Sequence, residues 1–533
     1  MSKPVNLLSV RALARSIASH AAVQALLFFL GVLLFKLPII NQPYYLDAIS
    51  FNIPGALFIY CNRCIPLLGP FDAGHPPFVH ETLAFVWAVF SYSRWISHLV
   101  IIIFSFLGVY FTYLVGVLLM DRKTGVIAAL FLFFSPLYFA QSGIVNLSIP
   151  LTALAVMTVY FALEKKTPWY LFCGSCLVLT KAPGLVVIFS ILLYVLSTGY
   201  RLPKKVLVEK LLIYAIPIAV FAVWLTYHQW ATGWLFVPRR YAYRIGDIMP
   251  LLQNRMKILF VGNYRFFLSG MTLTLLFLNR LRDKEIHAVY PFLYSLFFSL
   301  AVLVLGIGGG NLFALFLIPY LITVVHLVSK KKQFLLPFTV IFLSLFSLSF
   351  HIELLPRYVL IAYPFYYLVG AYSLVVLFEK RKYVIPVATA LFTALLITNW
   401  YGLYNTPHML ETPNSGPVLE SNMEYLDVVK THAAACNFIE KYYPQSTVYT
   451  NWPQAYELTR PEMGYVTRPL HVVDADTIGE DYKKKIDLIY FSYQSSYHSL
   501  RMRKLITEEL NTRLVRSFRS NGKSAEVYEV MKR

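Results

Sequence analysis

Charge is scarce in this chain of 533 residues: Asp, Glu, Lys and Arg make up 14% of it, where soluble proteins carry about a quarter. Apolar residues reach 58% and the mean hydropathy is +0.59, which excludes a soluble globular protein and a disordered one. Internal repeats and low-complexity tracts are lacking, which weakens a transporter built from duplicated halves. No basic-aromatic RNA-binding motif occurs, so the net charge of +20 does not point to nucleic acid. No small-residue cleavage site follows the first apolar run, which reads as an uncleaved signal anchor. Cysteine is sparse, with 5 in all. Cys61 and Cys64 lie in a segment where an oxidising compartment would permit a disulfide, and Cys173 and Cys176 read as packing residues within a span.

Long apolar runs are what the sequence has in abundance. They recur from residue 20 to residue 400, and each is near the roughly 20 residues needed to cross a bilayer. Residues 1–400 hold 31 of the 47 bases and 11 of the 27 acids, so the whole positive excess belongs to this part. Seven basic clusters punctuate the runs: Lys3/Arg11/Arg15, Arg122-Lys123, Lys165-Lys166, Arg201 to Lys210, Arg280 to Lys284, Lys330-Lys331-Lys332 and Lys380-Arg381-Lys382. By the positive-inside rule they mark cytoplasmic segments. Spans are then expected near 20–38, 95–119, 125–142, 149–163, 168–181, 184–199, 211–228, 265–279, 288–305, 311–328, 334–350, 358–378 and 383–400.

The expected fold is therefore a polytopic α-helical membrane protein of about 13 spans with a C-terminal extracytoplasmic α/β domain. Residues 1–400 form the membrane domain, with a first outer loop at about 39–94 and a basic outer loop at about 229–264. The apolar stretch 78–90 has no basic cluster beyond it and reads as a helix on or dipping into the outer leaflet. Residues 401–533 balance 16 bases against 16 acids. They mix helix-like runs (424–443, 500–510) with β-like runs (447–450, 486–493, 513–518, 525–530).

Few acids of the membrane part fall on the outer side: Asp47, Asp72, Glu81, Asp247 and Glu353. A carboxylate at membrane level is costly unless it is used. Asp72 and Asp247 read as hydrated loop residues, and His80 with Glu81 as interfacial surface. Asp47 differs, because it stands where the chain leaves the first span and so faces lipid-borne and aqueous reactants together. The same loop continues to His75-Pro76-Pro77, a stiff turn. Eleven bases remain near the outer face, and six of them crowd residues 239–265, against the positive-inside expectation. A surface facing anionic lipid phosphate, or generic headgroup attraction, explains that excess.

An Asp soon after the first span followed by a His-Pro-Pro turn resembles the GT-C glycosyltransferases, in particular their protein O-mannosyltransferase and aminoarabinose-transferase branch. Ser135-Pro136-Leu137 to Pro150-Leu151 resembles that family's second outer loop. Leu179-Thr180-Lys181-Ala182-Pro183-Gly184 resembles its Leu-Thr-Lys-x-Pro turn, and Leu355-Pro356-Arg357-Tyr358 leading to Tyr363-Pro364-Phe365 matches in order. The chain departs from the pattern at Ala48, where many relatives carry Glu, and at Ser148, where many carry an acid. Glu353 or Glu81 is then a candidate second acid, unless the enzyme needs no tightly held metal.

The resemblance implies transfer of a sugar from a polyprenyl-phosphate donor to a glycan, lipid or protein acceptor at the outer face of a membrane, with a bacterial inner membrane as the expected setting. Asp47 is the candidate base that takes the acceptor's proton, and His75, Lys181, Arg239, Arg240 and Arg357 are candidates to hold the donor phosphate. His75 also suits a metal ligand or a plain turn residue. A divalent metal ion is the one cofactor considered; membrane lipids are partners and nucleic acid is not. Two alternatives stand beside this reading: a lipid-linked sugar flippase or polysaccharide polymerase without this donor chemistry, and a membrane scaffold whose tail binds a partner. A flippase would have polar paired spans, whereas the acids here gather at one face.

The alternation of basic clusters predicts that reporters fused after Lys332 and Lys382 read cytoplasmic and that those after Gly309 and Arg533 read external. An external signal at Lys332 would overturn the thirteen-span arrangement.

Overall fold

A computed structural model describes residues 21–63, 71–72, 74–234, 259, 265, 268–269, 334–348, 355–380, 383–401, 419–475, 486–492 and 502–531. The expected spans near 288–305 and 311–328 lie outside these residues, as do Asp247, Glu353, Arg239, Arg240 and Cys64, and all of the span near 265–279 except Arg265, Leu268 and Ser269.

The described helices are, in chain order, α1 (Ala21–Lys36), α2 (Ile53–Asn62), α3 (Phe78–Phe90), α4 (Arg94–Leu119), α5 (Arg122–Phe134), α6 (Pro136–Gln141), α7 (Ser148–Leu163), α8 (Thr167–Val178), α9 (Gly184–Gly199), α10 (Lys204–Thr232), α11 (Leu335–Leu348), α12 (Tyr363–Leu377), α13 (Val384–Thr398), α14 (Tyr425–Tyr442) and α15 (Gln454–Thr459). Among the described residues five stretches are long and apolar enough to cross a bilayer: Ala21–Ile39, Arg94–Leu119, Lys204–Thr232, Pro356–Leu377 and Val384–Tyr401. The chain is thus a multi-pass membrane protein. Other expected spans appear as shorter helices: α8 has 12 residues and α7 and α9 have 16 each. At about 1.5 Å per residue, 16 residues reach about 24 Å, short of a hydrocarbon core of about 30 Å.

The breaks have local causes. The expected span 125–142 is two helices, because Pro136 has no N–H to continue the α5 ladder and instead opens α6 at its first position. Asp121 starts α5, its carboxylate accepting from the Thr124 N–H at 2.9 Å and from the Thr124 hydroxyl at 3.0 Å. The first outer loop also holds more helix than its composition suggested: a single wide turn at Ala48–Asn52 runs into α2. Helix α3 stands where the outer-leaflet helix was expected, although His80 on it is buried and not on the surface.

Residues 425–530 build a five-stranded sheet from β1 (Val448–Thr450), β2 (Val472–Asp474), β3 (Leu488–Ser492), β4 (Thr512–Ser520) and β5 (Lys523–Val530), in the order β2-β1-β3-β5-β4. Strand β1 pairs parallel with β2 and β3, and β5 pairs antiparallel with β3 and β4. The β4–β5 hairpin turns at Asn521-Gly522, both at positive φ (43° and 78°), as the favoured two-residue turn demands. Helix α14 packs across β4 and β5. This unit sits on the first outer loop. The Tyr44 N–H donates to the Met463 carbonyl (3.1 Å), the Tyr465 hydroxyl to the Tyr44 carbonyl (2.8 Å), and the Trp452 indole N–H to the Ser50 hydroxyl (2.5 Å). The segment after α13 and the segment after α1 therefore lie on one side of the membrane.

Helices α4 and α5 approach at Gly116 and Gly125, where a Cβ added to Gly116 would meet the Gly125 Cα at 2.5 Å. Gly116→Ala must push two backbones apart and should cost about 1–3 kcal/mol in thermal unfolding of the purified protein. Gly31→Ala, with nothing within 4 Å of its added methyl, should leave the transition unchanged.

Candidate active site

The site begins with a strained residue. Leu46 adopts φ 47°, a conformation that costs an L-residue on the order of 1–2 kcal/mol, and so redirects the chain just before Asp47. Asp47 then precedes the Ala48–Asn52 turn, with its side chain 40% exposed. Arg357 comes from the opposite end of the sequence, on the 3₁₀ turn Pro356–Ala362 that opens α12. Its Nη2 donates to Asp47 Oδ2 at 2.6 Å, and its Nη1 donates to Glu420 Oε2 at 2.5 Å. Arg357 is 7% exposed and Glu420 4%. Glu420 stands on the Leu419–Ser421 turn, and its backbone carbonyl accepts from Gln141 Nε2 at 3.0 Å at the end of α6. Burial pushes the Glu420 carboxyl above the usual carboxylate range, the Arg357 charge opposes that rise, and the neighbouring Asp47 adds to it.

Lys181 joins the same place. It lies in the α8–α9 turn, and its Nζ sits 4.3 Å from the centre of the Tyr358 ring, whose centre is 5.7 Å from the Arg357 guanidinium carbon. The His75-Pro76-Pro77 turn is tied to that turn through the Phe78 N–H, which donates to the Leu179 carbonyl at 3.1 Å. Asp47, Lys181, Arg357 and the His75 turn are thus brought together from four separate segments. Glu81 stays apart: it is half-buried on α3, and no ion pair joins it to Asp47 or Arg357. Ser148, where relatives carry an acid, is buried and its N–H is held by the Asn146 side chain at 2.9 Å.

Three expectations are corrected. Asp72 is not a hydrated loop residue: its carboxylate is buried, 2.7 Å from His228 Nε2 and 2.8 Å from the Gly74 N–H, because the loop folds back on the end of α10. Arg265, counted with the basic outer surface, is buried over the Tyr363 ring at 4.7 Å and donates to the Leu259 carbonyl at 2.8 Å. Lys36, placed near the outer face by the charge count, is buried against Phe139 and donates to its carbonyl. Sequence reasoning missed Glu420 and His228. Each belongs to a pair whose members are 63 and 156 residues apart, and no local pattern signals such a pair.

Among the described residues no three His, Cys, Asp or Glu side chains converge, and Asp47 and Glu420 each give an oxygen to the same guanidinium.

Residues 74–227 match the family described as dolichyl-phosphate-mannose-protein mannosyltransferase. No curated protein matches the chain. The fold is similar to that of ArnT from Cupriavidus metallidurans bound to undecaprenyl phosphate, with a TM-score of 0.55, 12% identity, and coverage of 95% of this chain and 98% of that one. The apo form of that ArnT is similar at a TM-score of 0.52 and 10% identity, with the same coverage of both chains. The chain thus shares its fold with ArnT, and residues 74–227 carry the match to the mannosyltransferase family.

Proposed function

We propose that the chain is an inverting glycosyltransferase that moves a sugar from a polyprenyl-phosphate donor to an acceptor hydroxyl at the extracytoplasmic face of a bacterial inner membrane. In this reading residues 1–400 are the catalytic membrane domain and residues 401–533 a soluble domain outside. The observation that carries it is the half-open Asp47 carboxylate beside Arg357, with Lys181 one aromatic ring away, all on turns that follow or precede apolar helices. Such a place admits a lipid phosphate from the bilayer and a hydroxyl from water. The similar ArnT was crystallised with undecaprenyl phosphate, which supports a carrier of that class.

The chemistry asks for two things that these residues provide. Asp47 accepts the proton of the acceptor hydroxyl as its oxygen attacks the anomeric carbon. The bond from that carbon to the phosphate oxygen breaks, and the phosphate leaves with the electron pair. Arg357 and Lys181, with His75, Arg239 and Arg240 as further candidates, stabilise the departing anion. Phosphate leaves well without a proton, so a single base suffices. A tightly held metal has no role in this scheme. The acceptor is a glycan, lipid or protein.

Glycolipids and glycoproteins from cells with and without the gene, compared by mass spectrometry, should differ by one sugar residue on one acceptor class. Identical profiles would count against any transfer reaction. Asp47→Asn, nearly isosteric but a far weaker base, should lower turnover by roughly a hundredfold or more while the protein still inserts and folds. Wild-type rates in that variant would remove Asp47 from the base role.

Donor titrations test the phosphate site separately. Charge-assisted hydrogen bonds of about 1.5–3 kcal/mol each mean that Lys181→Ala or Arg357→Ala weakens donor binding by at least about tenfold. Changes at Lys331 or Arg381, in basic clusters assigned to the other face, should do little. Unchanged affinity in Lys181→Ala, Arg357→Ala and the Arg239/Arg240 double variant alike would put the pocket elsewhere.

A further inference from the structure

The two arms of Arg357 are not equivalent. Nη1 meets Glu420, whose side chain is 4% exposed, and Nη2 meets Asp47, whose side chain is 40% exposed. An anion arriving from outside can therefore reach the Asp47 side and not the Glu420 side. The inner arm is also firmly anchored. The Glu420 carbonyl is held by Gln141, and three residues on the Met423 N–H donates to the Trp400 carbonyl at 2.7 Å. Trp400 is itself stacked on Phe139 and Phe134 and donates its indole N–H to the Phe134 carbonyl at 2.9 Å. The turn bearing Glu420 is thus fastened to α6 and to the end of α13, while Asp47 follows the strained Leu46 and keeps a half-exposed side chain at the head of a buried turn.

From this asymmetry we infer that Glu420 is a positioning residue for the transfer reaction: it holds Arg357 by Nη1 so that Nη2 is the arm passed from Asp47 to the donor phosphate. The inference rests on the donor chemistry proposed above and adds the device that times it. While Nη2 donates to Asp47, it occupies one oxygen of the base. A phosphate competing for Nη2 releases that oxygen toward the acceptor hydroxyl. That oxygen is then free only when a donor is seated. Without Glu420 the guanidinium would lose the charge that meets its Nη1 and would follow the phosphate outward, and the spacing between base and leaving group would be lost. No bond is made or broken at Glu420. The acceptor proton still goes to Asp47 and the electron pair still leaves on the phosphate. The second acid absent at positions 48 and 148 is in this reading supplied by the segment that follows the last span.

A double-mutant cycle on the full-length protein separates this role from simple docking of the C-terminal segment. Undecaprenyl phosphate is the binding probe, and thermal unfolding checks that each variant is folded. Glu420→Gln keeps the shape and removes the charge; it should weaken probe binding by about tenfold and lower turnover by more than its effect on KM accounts for. In an Arg357→Gln background the same change should alter probe affinity less than about twofold, because the residue through which it acts is gone. Glu420→Asp keeps the charge but shortens the reach; it should fold as wild type and lose about threefold, so a misfolded Glu420→Gln still leaves a test. Equal losses in both backgrounds, or wild-type affinity in both Glu420 variants, would overturn the inference. Failure of the wild-type protein itself to bind the probe would instead remove the donor reading, and this inference with it.

Discussion

A guanidinium taken out of water at the edge of a membrane must be met by negative charge, because the cost of stripping its hydration is several kcal/mol unless partners replace that water. Arg357 meets this demand with two carboxylates on its two terminal nitrogens. One follows the first apolar helix and the other follows the last described one, so a single buried cation binds both ends of the membrane part to the turn before α12. Removing either carboxylate alone changes the charge around the cation and loosens one of these joins. The docking of the C-terminal sheet is consistent with the same constraint: Gln42 reaches the Tyr425 hydroxyl at 3.0 Å and Tyr92 the Glu462 carbonyl at 2.6 Å, closing the interface around the ion pairs.

The site is made of turns, and prolines make the turns. Pro77, Pro136, Pro183 and Pro356 each stand at or beside the start of a helix, where a missing N–H costs nothing. Short helices such as α8 and α9 fit this design, since the turn between them carries Lys181 to the Tyr358 ring. The Asp72–His228 pair performs a similar service nearby, tying the loop that bears His75 to the end of α10.

Fold similarity and site chemistry are separate claims. The likeness to ArnT is one of fold at 12% identity, and the family match covers residues 74–227, a stretch that contains His75 and Lys181 but not Asp47, Arg357 or Glu420. The chain lacks acids at Ala48 and Ser148, yet a carboxylate reaches the site from residue 420. A carboxylate is defined there by where it arrives in space, and position in the sequence is secondary to that.

Hydropathy and charge in the sequence determined that the chain is a multi-pass membrane protein and that a mixed α/β segment follows residue 400, while the break of the expected span 125–142 at Pro136 came from the structure. The four expected strands were legible because alternation and β-branched residues act within a few positions, whereas β2 was not among them. Asp47, Lys181 and Arg357 stood out as candidates in the sequence because each is a lone charge beside an apolar run and a proline turn. What only the tertiary structure decided is their association: that Arg357 faces Asp47, that Glu420 backs it, that Asp72 pairs with His228, and that Arg265 turns inward. Charge pairing acts through space over a few ångströms and leaves no period along the chain. Partners 310 or 63 residues apart become neighbours only when the helices between them have packed.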